Sequence, residues 1–391
     1  MKVILKCLFV IFLTLTFVHL NVLSASPLTY SIEKELCIVQ RPPIEQEILD
    51  EMSIEQKVGQ LFMFGFLGTD INENISDLVQ NKHIGGVLLL GTNISTDQQL
   101  ILLNTNLQKI SKIPLLISID QEGGTVARLK GNDILTTPQK YMETTQEAYQ
   151  IALQRGLILK SLGININLAP VVENITSSSS FMYQRVFRGT EQEISEKSKS
   201  AIQGYSDSNI ASVAKHYPGH SNSSPDSHYS LPKVYIQENE FNQYIYPFKY
   251  LIEQNSVDVI MVGHILYPNI DSKISTVSYK LLTQKLRDEL KFDGVLITDD
   301  MEMDSIERAG EYCQIAKEAL LAGNDILLYS GMPTVQREVY ECVLNSIKKG
   351  EISEELVNEK VKRVLKLKAK FNIVNYSTLQ QLLEIQGMIP F

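Results

Sequence analysis

Eight short apolar runs, separated by longer stretches of helical period, limit the folds open to this chain more than any other feature of its sequence. The runs are rich in aliphatic and β-branched residues and are bounded by Gly, Pro and Asn, as expected for parallel strands buried on both faces. They are Leu61–Phe66, Gly86–Leu90, Leu115–Asp120, Ile164–Val172, Ala211–His216, Val257–Gly263, Gly294–Asp299 and Asp325–Ser330. Strands that alternate with helices in this way predict an α/β protein with a single (β/α)8 barrel of the TIM type.

The intervening stretches place apolar residues at helical spacing. They include Glu147–Leu162, Glu193–Ser206, Tyr244–Gln254, Val277–Leu290 and Glu311–Leu321. Extra helices are expected at the two ends of the barrel, with Ile44–Lys57 before the first strand and Val335–Lys349 and Ser353–Lys370 after the last. The alternative architecture is an open, doubly wound sheet. No Gly-x-Gly-x-x-Gly motif follows the first strand, which disfavours a dinucleotide site of that kind.

The first residues have the composition of a secretory signal peptide. Lys2 and Lys6 precede the uncharged run Cys7–Val18, and the small residues Ser24 and Ala25 follow it. The run is short for a membrane span, although an uncleaved anchor is the alternative interpretation. We therefore expect a secreted or periplasmic protein that has no stable association with a membrane once the peptide is removed.

The net charge of −9 disfavours a nucleic-acid partner, because phosphate binding needs clustered Lys and Arg.

Cleavage of the signal peptide would leave three cysteines, Cys37, Cys313 and Cys342, so at most one disulfide forms within the chain and its pairing stays open. No Cys-x-x-Cys spacing indicates a zinc or thioredoxin-like site.

Ionisable residues end several of the predicted strands, and in barrel enzymes the chemistry takes place at those carboxyl ends. Asp120 ends strand three, Lys215 and His216 end strand five, and Asp299 ends strand seven. Arg185 follows strand four. His264 follows strand six and is interpreted either as a histidine satisfied inside the barrel or as a ligand contact.

The long loop after strand five, Lys215–His228, contains three of the six histidines and is rich in Gly, Ser and Pro, which is typical of a mobile lid. Asp226 and His228 are two residues apart in this loop. An extended backbone would place both side chains on one side, where the carboxylate could orient the imidazole and stabilise its charge. The pair is therefore a candidate proton shuttle at neutral pH.

Four motifs, in this order along the chain, resemble those of the glycoside hydrolase family 3 β-N-acetylglucosaminidases, the NagZ-like β-hexosaminidases. They are Asp120-Gln-Glu-Gly-Gly124, Lys215-His-Tyr-Pro-Gly-His220, Asp226-Ser-His228 and Thr298-Asp-Asp-Met-Glu-Met303. The resemblance covers the chain from about Ile44 to Phe371. Together with the signal-peptide composition, the resemblance predicts the following organisation: a signal peptide at 1–25, an extension at 26–43, a family 3 barrel domain at 44–375 and a C-terminal tail at 376–391.

The resemblance also implies an activity: exo-hydrolysis of terminal, non-reducing β-linked N-acetylglucosamine, with retention of configuration and without a cofactor. It makes Asp299 the nucleophile and His228, assisted by Asp226, the acid/base. The residues expected to hold the sugar are Asp120, Arg128, Arg185, Lys215 and His216. The substrate would be an oligosaccharide, either a cell-wall muropeptide in peptidoglycan turnover or a chitooligosaccharide. Glu173 stands where the strand-four motif of the family usually has Asp.

Several alternatives stay open at this point. A phosphorylase that uses phosphate in place of water, or a broader β-glycosidase, would fit the same motifs. A metal-dependent hydrolase on the same barrel could use as ligands His216, His220, His228, His264 and Asp299. Such enzymes place His-x-His at the end of strand one, whereas Leu61–Phe66 has no ligand. A non-catalytic glycan-binding protein would have lost the nucleophile or the dyad, and both are present.

Overall fold

The computed structural model describes residues 41–220, 226, 231–307 and 310–385. The predicted signal peptide, Cys37 and His228 lie outside these ranges.

Eight parallel strands close into a barrel, as the sequence predicts. The barrel strands are β1 (Phe62–Gly65), β2 (Gly86–Leu89), β3 (Leu116–Ile119), β6 (Ile166–Asn167), β7 (Ala211–Tyr217), β8 (Val259–Val262), β9 (Val295–Asp300) and β10 (Ile326–Tyr329). Around the barrel their order is β1-β10-β9-β8-β7-β6-β3-β2, and β1 closes it by pairing with both β10 and β2. The two remaining strands, β4 (Gln121–Gly123) and β5 (Val126–Ala127), form a small antiparallel hairpin directly after β3.

Strand β6 is the one strand that is much shorter than the sequence suggests, with two residues in place of the predicted run Ile164–Val172. Pro170 has no amide hydrogen and interrupts the regular ladder. The chain nevertheless stays beside β7, because the amide of Lys215 donates to the Pro170 carbonyl (3.2 Å) and the amide of Val172 donates to the Lys215 carbonyl (2.9 Å). Residues beyond Val172 are therefore placed at the carboxyl end of β7.

Helices surround the barrel in the expected order. They are α1 (Ile44–Asp50), α2 (Ile54–Gly59), α3 (Glu73–Gln80), α4 (Asp97–Ile110), α5 (Asp133–Thr136), α6 (Thr145–Ser161), α7 (Glu191–Asp207), α8 (Phe241–Tyr244), α9 (Tyr246–Glu253), a π-helix (Lys280–Glu289), α10 (Asp304–Glu307), α11 (Tyr312–Ala322), α12 (Pro333–Lys348), α13 (Glu354–Lys370) and α14 (Tyr376–Ile385). No described helix is both long and apolar enough to span a bilayer.

Two predicted helices differ in detail from the structure. The expected helix Ile44–Lys57 is broken in two, because the Ser53 side chain accepts from the amide of Gln56 and the Gln56 side chain accepts from the amide of Ser53, which starts a new helix there. The stretch expected to be an α-helix over Val277–Leu290 is the π-helix. The C-terminal tail expected from residue 376 contains helix α14.

Apolar side chains fill the interior of the barrel. They come from all eight strands and include Met63, Leu116, Val213 and Ile297. Phe371, together with other residues at the end of α13, packs against the same cluster and closes the amino-terminal end. Because the lumen is a packed core, open polar sites are left at the carboxyl ends of the strands.

A disulfide joins Cys313 of α11 to Cys342 of α12, with their Cα atoms 5.7 Å apart. It settles the pairing that the cysteine count left open and ties together two neighbouring outer helices.

Candidate active site

The hairpin after β3 positions the first group of polar side chains. Asp120 links β3 to β4, and the Gln121 side chain holds the returning strand by donating to the Leu129 carbonyl (3.0 Å) and accepting from the Leu129 amide (2.9 Å). With both ends of its amide engaged, Gln121 fixes the turn that places Asp120 and Glu122 at the mouth of the barrel.

Two acidic and three basic side chains form one ion-pair network at this mouth. Lys215 of β7 contacts Asp120 at 2.8 Å and Glu122 at 2.7 Å. Arg185 donates to both oxygens of Glu122, at 2.9 and 2.7 Å, and Arg128 lies 3.3 Å from Asp120. The structure therefore brings together four of the five residues expected to hold a sugar, and it adds Glu122.

Glu122 belongs to a quoted motif but was not predicted as a site residue. Although burial alone would raise the pKa of Glu122, the charges of Arg185 and Lys215 lower it to about 2. Its carboxylate is therefore ionised and orients the two cations that flank it. The sequence signal is an acidic residue two positions beyond a strand-end aspartate, in front of two glycines.

His216, the fifth expected sugar contact, is buried next to this network. Its Nδ1 lies 2.8 Å from Oε1 of Glu173, and its Nε2 lies 3.4 Å from the guanidinium of Arg185. Burial lowers the pKa of His216, against the opposing effect of Glu173. The ring is therefore neutral at ordinary pH.

Asp299 lies at the end of β9 and is half-buried. Burial would raise the pKa of Asp299, but the neighbouring imidazoles of His216 and His264 and the amide of Asp300 outweigh burial, and the pKa falls below its usual range. The Asp300 amide donates to Oδ1 of Asp299 at 2.9 Å. The group is thus a carboxylate at neutral pH, as a nucleophile must be.

The adjacent Asp300 has a different environment. Burial raises the pKa of Asp300 to about 6, and its Oδ1 accepts from the amides of Glu302 (3.1 Å) and Ser330 (3.0 Å). The side chain thus holds the loops after β9 and β10, which is a structural role.

His264 has both ring nitrogens engaged. Its Nδ1 lies 2.6 Å from the Thr276 hydroxyl and its Nε2 lies 2.9 Å from the Asp300 carbonyl. Of the two interpretations of this residue, the satisfied buried histidine describes the structure. Through the carbonyl, His264 also fixes the backbone that follows Asp299.

Two of the histidines weighed as metal ligands come together. Among the described residues, Glu173, His216 and His220 place ligand atoms within 4.8 Å of one another, a donor set that would suit zinc. Each oxygen of Glu173 already accepts N–H groups from these two histidines. Hydrogen bonding therefore accounts for the cluster.

The proposed acid/base pair is only partly described. Asp226 is half-buried, and His228 lies outside the described residues. Their contact therefore stays a prediction. Both residues follow His220 in the sequence.

A closed (β/α)8 barrel with an ionised carboxylate beside a network of cations and imidazoles at its mouth is an arrangement that many barrel enzymes share, glycoside hydrolases among them. The family follows from comparison with known proteins. The model of the glycosyl hydrolase family 3 N terminal domain matches residues 53–367, so the chain belongs to this family. The family expected from the motifs is confirmed, and the protein is an enzyme of the glycoside hydrolase class.

Relatives and solved structures agree with this assignment. The chain is 31% identical over 284 residues to a protein named beta-hexosaminidase from Methylobacillus flagellatus, a match that covers 69% of this chain and 80% of the relative. A glycoside hydrolase family 3 β-N-acetylglucosaminidase from Paenibacillus sp. str. FPU-7 superposes with a TM-score of 0.77 and 30% identity, covering 86% of this chain and 69% of that one. A β-N-acetylhexosaminidase from Beutenbergia cavernae superposes with a TM-score of 0.74 and 25% identity, covering 81% and 99%.

Proposed function

We propose that this enzyme is a retaining exo-β-N-acetylglucosaminidase, which removes terminal, non-reducing β-linked N-acetylglucosamine from an oligosaccharide. The observation on which this rests is the ionised Asp299 at the end of β9, beside the ion-pair network of Asp120, Glu122, Arg185 and Lys215. We choose N-acetylglucosamine as the sugar because the relatives are named beta-hexosaminidase and β-N-acetylglucosaminidase.

The reaction proceeds in two steps. In the first, Asp299 attacks the anomeric carbon while His228, oriented by Asp226, protonates the departing oxygen, which leaves a covalent glycosyl-enzyme. In the second, the same imidazole takes a proton from water, the water attacks the anomeric carbon, and Asp299 is released. The configuration is retained because the anomeric carbon is inverted twice.

The network holds the sugar by complementary hydrogen bonds. The carboxylate of Asp120 accepts only, so it binds hydroxyl hydrogens, and the cations of Arg128, Arg185 and Lys215 donate to hydroxyl or acetamido oxygens. The buried Glu122 orients Arg185 and Lys215. Because these groups already orient one another, little rearrangement is needed when the sugar binds.

The natural substrate class that we propose is cell-wall muropeptides or chitooligosaccharides, met outside the cytoplasm. This proposal is supported by the signal-peptide composition of residues 1–25.

An activity panel of para-nitrophenyl β-glycosides, run with and without inorganic phosphate, tests the function directly. Hydrolysis of the N-acetylglucosaminide at a rate that phosphate leaves unchanged is the expected result, and a rate that depends on phosphate would indicate a phosphorylase.

Selectivity for the acetamido group is the first testable consequence. The site should turn over the β-N-acetylglucosaminide with a kcat/KM at least about 100-fold above that of the β-glucoside, because a buried polar group that loses its partner is costly. The measurement is kcat/KM for the two para-nitrophenyl glycosides under identical conditions. Equal values would contradict an N-acetylglucosaminidase and favour the broader β-glycosidase.

Activity should not depend on a metal ion. Lys215 and the two arginines supply the positive charge that a metal would otherwise provide, and hydrogen bonds account for the Glu173 cluster. Initial rates before and after dialysis against EDTA should agree. If chelation abolishes activity and zinc restores it, the metal-dependent hydrolase becomes the better interpretation.

A further inference from the structure

Glu173 is a buried carboxylate that the mechanism above does not use. It follows the short strand β6, and 3% of its surface is exposed. Its Oε1 accepts from the backbone amide of His216 (3.2 Å) and lies 2.8 Å from the Nδ1 of the same residue. Its Oε2 accepts from the backbone amide of His220 and lies 3.1 Å from that residue's Nδ1. One side chain thus contacts two histidines by both backbone and ring.

The carboxylate of Glu173 is paired with histidines. Among the described residues, its partners are the imidazoles of His216 and His220, with no Lys or Arg within ion-pair distance. Burial alone would raise the pKa of Glu173, but its contacts with His220 and His216 hold the pKa well below its usual range. The group is therefore ionised, and an ionised carboxylate can only accept hydrogen bonds.

An acceptor at this place determines where the protons of the two rings lie. Each Nδ1 must carry a hydrogen to donate to Glu173, so a neutral His216 has its lone pair on Nε2. The guanidinium of Arg185 lies 3.4 Å from that nitrogen and can donate to it. His216 consequently presents an acceptor to the mouth of the barrel, where the neighbouring cations present donors.

We propose that Glu173 is a positioning residue that fixes His216 and His220 as Nδ1–H tautomers and so couples the sugar-holding histidine to the start of the acid/base loop. The coupling to catalysis rests on the proposed function, since it takes His216 as a sugar contact and the loop after His220 as the carrier of the acid/base. The tautomers do not depend on any activity.

Replacement by glutamine tests the proposal because it keeps the shape and removes the charge. An amide presents one acceptor and one donor, so in Glu173→Gln the NH2 group faces the N–H groups of either His216 or His220. At least one ring must then change its tautomer or move. Glu173→Asp retains the charge on a side chain one methylene shorter and should restore part of the wild-type behaviour.

Glu191→Gln is the matched control. Glu191 lines the same small cavity as Glu173, but its carboxylate accepts from the side chains of Asn174 (3.1 Å) and Gln243. Within the described part of the chain it has no hydrogen bond to either histidine. The same change of charge there should leave both the tautomers and the kinetics as in the wild type.

The first measurement is the tautomeric state, read from long-range ¹H–¹⁵N spectra of the protein labelled with ¹⁵N-histidine. The chain has six histidines, and His220→Gln and His216→Gln assign the two signals. We expect Nδ1–H patterns for both rings in the wild type and in Glu191→Gln. In Glu173→Gln at least one ring should lose this pattern.

The second measurement separates binding from the chemical steps. Glu173→Gln should lower kcat/KM by about 10- to 100-fold, as is usual for a residue that orients a functional group through a hydrogen bond. KM should rise because His216 is misplaced, and kcat should fall most with poor leaving groups because the acid/base loop is displaced. A residue that only stabilised the fold would alter both substrates equally and would shift the thermal midpoint.

Three results would overturn the proposal. The first is an Nε2–H pattern for His216 in the wild type, and the second is unchanged tautomers and kinetics in Glu173→Gln. The third is one equivalent of zinc in the purified wild-type protein that is absent from Glu173→Gln, which would make the cluster a metal site. If the protein does not hydrolyse N-acetylglucosaminides at all, the kinetic arm fails with the proposed function, and the spectra still decide the tautomers.

Discussion

Substitution of Asp299 by alanine is expected to lower kcat on an aryl β-N-acetylglucosaminide by about 10⁴-fold or more, with the fold intact. The loss is large because no covalent intermediate can form without the carboxylate. Asp299 is suited to attack since it is ionised and lies at the end of β9. Among the described residues, the adjacent amide of Asp300 is the one backbone group that donates to it. The measurement is kcat at saturating substrate, with circular dichroism and the thermal midpoint as tests of folding.

Asp300→Ala is the control for this variant. Asp300 accepts from the backbone amides of Glu302 and Ser330, so its removal should lower the thermal midpoint through the loops that it holds. At a temperature where both variants are folded, its effect on turnover should be far smaller than that of Asp299→Ala. If Asp300→Ala is the more damaging of the two, Asp299 is not the nucleophile.

The fold was predictable because the barrel depends on local sequence patterns. Buried parallel strands need continuous apolar runs, and each helix needs an apolar stripe, so the alternation of the two is visible in the sequence. Where the local pattern was ambiguous, the prediction was less accurate. Pro170 interrupts a run that is apolar on both sides, and Ser53 with Gln56 starts a new helix within one continuous amphipathic stretch.

The candidate site was only partly predictable, since its members meet across long stretches of chain. Asp120, Lys215 and Asp299 were identifiable because each ends an apolar strand. Glu122 pairs with Arg185, 63 residues away, and no sequence pattern gives that pairing. Glu173 was noticed as a departure from the family motif, but its contact with His216, 43 residues later, needed the structure.

Removal of the His228 imidazole should have the second large effect, and its size should depend on the leaving group. His228→Ala is expected to lower kcat/KM on a natural disaccharide by about 10²- to 10⁴-fold, the usual contribution of a general acid. On an activated aryl glycoside the loss in glycosylation should be less than about tenfold, because a phenolate departs without protonation. The measurement is kcat/KM on both substrates for His228→Ala and for Asp226→Ala.

Asp226→Ala should show a milder form of the same pattern, because it keeps the imidazole and removes only the carboxylate expected to orient it.

Once the glycosyl-enzyme forms on the activated substrate, the second step needs a base, which His228→Ala lacks. Azide is already a nucleophile and needs no deprotonation, so it should restore turnover of the activated substrate and give a glycosyl azide. A uniform loss on both substrates, with no rescue by azide, would show that His228 is not the acid/base. Asp226, which is half-buried, would then be the first carboxylic acid to test in that role, since retaining glycosidases ordinarily use one.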